Sequence, residues 1–310
     1  MRVDKRRRGL LGVAAASALL AACTTPAPPP RTPEPPAPPS PLSPPSPPPR
    51  PPQPPRIGLA LGGGAARGFA HIGVIQVLEE AGIRAELVVG TSAGSMVAAL
   101  YAAGRNGRAL AQLAREMDEG ALADWAFPTR GLLRGEALAR FVREHTGGLR
   151  IEQMALPLGI VATRLDTGEP ILFRRGDPGL AVRASSAVPA VFQPVTIAGH
   201  EYVDGGLVAP VPVRFARQMG ATLVLAVDIS QAPDRAAGSD PLRMLLQTFT
   251  IMGRSINRLE LREADIVVSP ALAGMGGSDF ASRERAIAAG RSAAMQQLPA
   301  LRERILALTR

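Results

Sequence analysis

Ile57-Gly58-Leu59-Ala60-Leu61-Gly62-Gly63-Gly64-Ala65-Ala66-Arg67-Gly68 is a short apolar strand that runs straight into a glycine-rich turn. The next residues, with Ile72, Val74, Ile75 and Leu78 on one side, have the spacing of an amphipathic helix that closes at Gly82. The pattern then repeats. An apolar strand over 85–89 meets Gly90-Thr91-Ser92-Ala93-Gly94, and a second helix runs to Ala103. Strand, glycine turn, helix, twice in succession, is the grammar of a parallel sheet with helices packed on it.

Working outward, apolar runs at 158–163, 170–173, 222–227 and 265–268 predict further strands. Helical periodicity falls at about 108–118, 135–145, 211–219, 241–261 and 280–308. The fold class expected is α/β with a mainly parallel central sheet covered on both faces. The uncharged span 87–104 is nearly long enough to cross a bilayer. Its Gly-Thr-Ser-Ala-Gly-Ser interior instead marks a buried strand, a turn and a helix. No repeat of 20–50 residues is visible.

Residues 1–55 differ in composition from the rest. Lys5-Arg6-Arg7-Arg8 precede an uncharged run from Gly9 to Ala22, too short to span a membrane, which ends Leu20-Ala21-Ala22-Cys23. This resembles the signal of a bacterial lipoprotein, which implies cleavage after residue 22, lipidation of Cys23 and attachment to the membrane through it. An ordinary signal peptide with an incidental cysteine is the alternative. Thr24 is not the aspartate associated with inner-membrane retention in enteric-type lipoproteins. The expected location is therefore the cell envelope, at the outer membrane, with the rest of the chain in the periplasm or exposed at the surface. Between 26 and 55, 19 of 30 residues are proline. Proline lacks an amide hydrogen and fixes φ, so this stretch is expected to be an extended polyproline spacer. The expected organisation is a signal over 1–22, anchor and linker over 23–55, and one folded domain over 56–310.

Composition excludes several functions. The chain of 310 residues has a formal charge of +9, but Arg2, Lys5, Arg6, Arg7 and Arg8 lie in the leader against Asp4 alone. With aromatics at only 4%, a nucleic-acid platform is not expected. One cysteine allows no intrachain disulfide and no Cys/His zinc cluster, and no loop resembles an EF-hand. Neither a metal nor a cofactor is expected. Oligomeric state is not legible.

Gly90-Thr91-Ser92-Ala93-Gly94 has the form G-x-S-x-G. Alone it is weak, but between a strand and a helix it has the setting of a nucleophile elbow, with Ser92 on the turn and glycines where side chains would crowd it. The 62–68 loop does not fit a dinucleotide fingerprint, because Arg67 falls where the third glycine belongs and no acid ends the second strand. Its amides suit an oxyanion hole. A base for the serine could be His200, completed by Asp166 or Asp177. The alternative is Asp204, which follows a probable strand in Val203-Asp204-Gly205-Gly206. His71, on the first helix, reads as packed or solvated, and His145 is the third histidine of the chain.

In their order, the glycine loop with Arg67-Gly68, Gly90-Thr91-Ser92-Ala93-Gly94 and Asp204-Gly205-Gly206 resemble the patatin-like phospholipases. The flanks His71-Ile72-Gly73-Val74 and Ala184-Ser185-Ser186-Ala187-Val188-Pro189-Ala190 are similar too. The resemblance implies a three-layer α/β/α fold and a Ser–Asp dyad without histidine, Ser92 as nucleophile and Asp204 as general base. It also implies oxyanion donors at Gly63, Gly64 and Ala65, supported by Gly62, Arg67, Gly68, Gly90, Gly94, Gly205 and Gly206, and a lipid or acyl ester as substrate. Arg67 would order the loop or meet a phosphate. Ala65 stands where the family's third glycine lies, and its methyl group is expected to require a negative φ. A lipid-binding protein without catalysis is the rival from another class.

Overall fold

The first strand, β1 (Ile57–Leu61), lies in the interior of a sheet and is buried at every position. Its alternate side chains part to opposite faces, as the period of two demands. Leu59 and Leu61 join one apolar cluster, and Ala60 joins the other. The computed structural model describes residues 53–118, 124, 131–232 and 240–309. The expected signal at 1–22, the anchor Cys23 with Thr24, and the linker up to residue 52 lie outside the described residues.

The other strands are β2 (Leu87–Thr91), β3 (Gly131–Leu133), β4 (Leu158–Arg164), β5 (Pro170–Phe173), β6 (Ala190–Phe192), β7 (Val195–Ile197), β8 (His200–Asp204), β9 (Leu223–Val227) and β10 (Ile266–Val268). The helices are α1 (Phe69–Glu80), α2 (Ala93–Ala102), α3 (Gly107–Glu116), α4 (Glu136–His145), α5 (Pro178–Ser185), α6 (Val213–Gln218), α7 (Pro241–Glu260) and α8 (Arg283–Thr309). The sheet runs β10-β9-β1-β2-β4-β8-β7, with β5 also on β4 and a separate β3–β6 pair. From β10 to β4 every pairing is parallel, and β5, β7 and β8 are antiparallel. Leu59, Leu61, Val88, Leu223 and Leu225 pack toward α1, α2 and α8, while Ala60, Val89, Val224 and Ala226 pack toward α6. The three-layer expectation is met.

One register places the site. β4 pairs with β5 over residues that also pair with β2 and with β8, so β2 and β8 must share the opposite edge end to end. Thr91 is opposite Val161, and Asp204 is opposite the next residue, Ala162. The end of β2 and the end of β8 therefore converge on one point of the sheet.

α1 and α8 cross at glycines. A Cβ on Gly290 would lie 1.9 Å from the Ala70 carbonyl oxygen, and one on Gly73 2.0 Å from that of Ile287. Nothing can yield there except backbone. Gly290→Ala is expected to cost about 3 kcal/mol, the upper end for overpacking, and to lower Tm by roughly 10 °C. A thermal melt within a degree of wild type would show that the helices are not so tightly opposed.

Candidate active site

Ser92 sits on the turn between β2 and α2 with φ 52° and ψ −125°. A non-glycine residue held there stores on the order of 1–3 kcal/mol of strain. The neighbouring glycines explain how it is held. A Cβ at Gly90 would meet the Gly94 carbonyl oxygen at 2.4 Å, and one at Gly94 would meet the Leu61 carbonyl oxygen at 2.2 Å. The turn is thus wedged against the end of β1, and Gly63 packs directly on the Ser92 side chain.

A second segment clamps the turn from the other side. Ser185, at the end of α5, accepts from the Ser92 amide at 2.9 Å and donates to the Val161 carbonyl at 2.5 Å. Two residues on, the Ala187 carbonyl accepts from the Asp204 amide at 2.9 Å. One short stretch therefore fixes both Ser92 and Asp204. Sequence reasoning gave Ser185 no role, although it lies in the Ala184–Ala190 flank that resembled the family. Ser185→Ala leaves the half-buried Ser92 amide without its acceptor, a cost of about 1 kcal/mol. A fall in kcat of at least tenfold with KM unchanged is expected from steady-state kinetics.

Asp204 is 7% exposed. Its Oδ1 accepts from the Gly206 amide at 2.6 Å, and its backbone carbonyl accepts from the Thr163 hydroxyl at 2.8 Å. Burial pushes the carboxyl pKa up to about 6, against smaller lowering by the Ser92 hydroxyl and the Gly206 amide. Oδ2 is buried with no partner in ordinary hydrogen-bond geometry. The Ser92 hydroxyl therefore approaches the Asp204 carboxyl closely enough to lower its pKa. Gly205 permits it, since a Cβ there would be 2.2 Å from the Val161 carbonyl oxygen.

The 62–68 loop needs two corrections. The Gly63 amide donates to the Pro210 carbonyl at 2.9 Å, so it is not a free donor. The amides of Gly64 and Ala65 have no internal acceptor among the described residues, and neither does that of Ala93, at the first turn of α2. Ala65 has φ 51°, in the left-handed region, so its methyl group does not impose a negative φ. It stands exposed on the loop, where its methyl group is free of the crowding that confines Gly64 beneath Ile229. Arg67 orders the loop. Its Nε donates to the Ile229 carbonyl at 3.0 Å and its Nη1 to Gln231 Oε1 at 2.5 Å. Gly62 is pinned by its amide on the Val227 carbonyl at 3.1 Å and by its carbonyl on His71 Nε2 at 2.8 Å. Gly68 lies against Ala93, where a Cβ would come within 2.8 Å of its methyl.

The histidines stay apart from this cluster. His71 is fully buried, its pKa lowered to about 4 by burial, so it is neutral and holds Gly62. His200 begins β8, exposed beside Arg164. Four residue steps along β8, about 13 Å, take the chain from it to Asp204. Asp166 pairs with Arg164 at 3.0 Å, and Asp177 caps α5 and pairs with Arg143 at 2.7 Å. The His200 triad is not assembled. His145 stacks on Phe141, 4.2 Å between ring centroids.

An apolar cavity of about 40 Å³ begins at Ala65 and Ala93 and is walled by Met96, Leu113, Phe141 and Phe280. It has room for about three water-sized groups. No group of three or more His, Cys, Asp or Glu side chains could hold a metal ion among the described residues.

A family model described as Patatin-like phospholipase matches residues 59–217, spanning both glycine turns, Ser92 and Asp204. The chain belongs to the patatin-like phospholipase family. It is 38% identical to an uncharacterized NTE family protein of Mycobacterium tuberculosis over 178 residues, 56% of this chain and 49% of that protein. A second such protein of M. tuberculosis is 31% identical over 271 residues, 79% of this chain and 46% of that protein. Patatin-like phospholipase domain-containing protein 6 of Mus musculus is 36% identical over 181 residues, 56% of this chain and 13% of that protein. The chain thus spans about half the length of the bacterial relatives it matches. Among solved structures, VipD from Legionella pneumophila superposes with a TM-score of 0.54 at 16% identity, over 79% of this chain and 67% of that one. That likeness concerns the fold alone. Patatin-like phospholipases are lipid ester hydrolases, and the Ser92–Asp204 cluster lies within the part of the chain that the family model matches.

Proposed function

We propose that the protein is a serine-dependent lipid acyl hydrolase acting on phospholipids, lysophospholipids or related esters. Ser92 Oγ attacks the ester carbonyl and Asp204 takes its proton. The negative oxygen of the tetrahedral intermediate is held by the amides of Gly64, Ala65 and Ala93, with the N-terminus of α2 adding its dipole. The alcohol leaves with the proton from Asp204. Asp204 then deprotonates a water, which releases the fatty acid from the acyl-Ser92 ester. The acyl chain enters the apolar cavity beside Ala65 and Ala93, with its wall side chains moving outward. The observation that carries this reading is the buried, unpartnered Oδ2 of Asp204 beside a serine held at positive φ.

The test is covalent. A fluorophosphonate probe is expected to label Ser92 and no other serine, and a lipid panel read by mass spectrometry is expected to yield free fatty acid. Absence of labelling with lipid binding intact would replace the enzyme with a lipid-binding protein.

The same proposal includes the leader. Cleavage before Cys23 and acylation of its thiol would tether the domain in the envelope, at the outer membrane, through the proline-rich stretch, since several acyl chains anchor stably. Mass spectrometry of the mature N-terminal peptide is expected to find a lipidated cysteine. A Cys23→Ser protein is expected in the soluble fraction or unprocessed.

A further inference from the structure

α7 is 20 residues long, yet only Asn257 and Glu260, near its C-terminus, are buried. Met244 is 60% exposed, Ile251 50%, Met252 48% and Leu259 64%, with Leu245 also exposed. Met244 and Ile251 form one row at seven-residue spacing and Leu245, Met252 and Leu259 a second, about 100° around the helix, so together they bound one broad stripe that also carries the small hydroxyls of Thr248 and Ser255. Arg254 and Arg258, three and seven positions after Ile251, line one flank of that stripe and have no ion-pair partner among the described residues. Arg243 lies on the same side, loosely paired with Asp240 at 3.9 Å. The helix has no acid before Glu260, which is itself paired with Arg214.

We propose that α7 lies in the plane of an anionic lipid surface, with the stripe among the acyl chains and the arginines at the headgroups. An apolar face edged by arginine is what such a surface recognises. A second copy of the chain is disfavoured, because packing stripe on stripe would set arginines against arginines with no acid to separate them. The helix suits lying in the interface, since no helix among the described residues is long and apolar enough to cross a membrane.

Its anchored end leads to the active site. Asn257 accepts from the Val211 amide at 3.1 Å and donates to Asp228 at 3.4 Å, and Gly253 packs on Pro210. The Pro210 carbonyl is the acceptor for Gly63. Docking α7 therefore fixes the position of the 62–68 loop relative to the lipid. This inference goes beyond ester hydrolysis and stands without it.

The test exploits the single cysteine. In the full chain with Cys23→Ser, Met252→Cys is labelled with a polarity-sensitive fluorophore, and Glu144→Cys on α4 serves as the control. Vesicles containing phosphatidylglycerol are expected to blue-shift the label at 252 and leave that at 144 unchanged. Phosphatidylcholine vesicles are expected to give a much weaker response. Arg254→Gln with Arg258→Gln is expected to weaken vesicle binding on the order of 25-fold, about fivefold per arginine. Its hydrolysis of a water-soluble monomeric ester is expected to be unchanged. No shift at 252 overturns the proposal. So does a label already shielded in buffer, which would mean that another part of the chain or a second copy covers the stripe. Loss of monomeric-ester hydrolysis in every variant, wild type included, would count against the hydrolase reading and leave the docking result standing.

Discussion

Ser92→Ala is expected to reduce ester hydrolysis by about 10⁵-fold or more while leaving the fold intact. The substitution removes only the attacking oxygen, and losses of this order follow removal of the nucleophile in serine hydrolases that retain their oxyanion donors. The amides of Gly64, Ala65 and Ala93 remain in the variant, so a residual rate above that of water is expected from them. Alanine keeps the φ of 52° that Ser92 adopts. The wedge of Gly90 and Gly94 is also unchanged, so the melting temperature is expected within about 2 °C of wild type. Single-turnover measurements on a chromogenic ester, alongside thermal unfolding, check both halves. Retention of more than a hundredth of wild-type activity would require another nucleophile.

Asp204→Asn is expected to have two opposite effects. Catalysis falls by about 10⁴-fold, because the amide cannot accept the serine proton. Stability rises. The folded-state pKa of Asp204 is raised by burial from 3.8 to about 6. The native state therefore binds this proton more tightly than the unfolded chain. Its stabilising effect is complete below pH 4 and is lost as pH rises through about 6. At pH 7 the charged carboxylate costs the fold about 3 kcal/mol, from a shift of about two pH units. Asparagine pays no such cost. It can still accept from the Gly206 amide, and its NH₂ can face Ser92. The variant is expected to melt several degrees above wild type at pH 7 and with it at pH 4. On the proposed mechanism the same ionisation would set the wild-type activity profile. Below about pH 6 kcat/KM is expected to fall tenfold per unit, since only the carboxylate accepts a proton. A profile flat between pH 5 and 7, or an Asn variant that melts below wild type at pH 7, would remove Asp204 from the role of base.

The sequence discloses the elements whose signals are local. The turn at Gly90–Gly94 stands out because strand, glycines and helix follow one another, and β4, β5, β9 and β10 are continuous apolar runs found within two residues of their ends. The strand before Ser92 extends past the expected 89 to Thr91, because Gly90 and Thr91 pair with Ile160 and Val161 on β4, a partner the sequence does not show. β3, β6 and β7 have three residues each, too few to show a period. α5, which carries Ser185, has only eight residues, too short for a clear helical period, and the sequence assigns it no element although Asp177-Pro178 is a helix-start signal. Which amides are free was equally hidden, since Gly63 is spent on Pro210 and that acceptor lies in a distant loop. For His71 the sequence leaves packed and solvated both open, and only burial shows it to be a neutral strut, while His200, a candidate base in sequence, is an exposed surface group.

The partners that hold β1 and the 62–68 loop come late in the chain. Gly62 and Arg67 are bound by carbonyls of Val227 and Ile229, the latter across 162 positions, and α1 rests on α8 at Gly290. Such high contact order delays assembly until most of the polypeptide is available. A nascent or truncated molecule ending before β9 would keep the Ser92 turn with β1 and β4 on either side but lack the strand on the far edge of β1 and the carbonyls that hold Gly62 and Arg67, and is expected to leave a fluorophosphonate unreacted. On the proposed function, synthesis itself would act as a safety catch, withholding lipolytic power until β9 and α8 have been made.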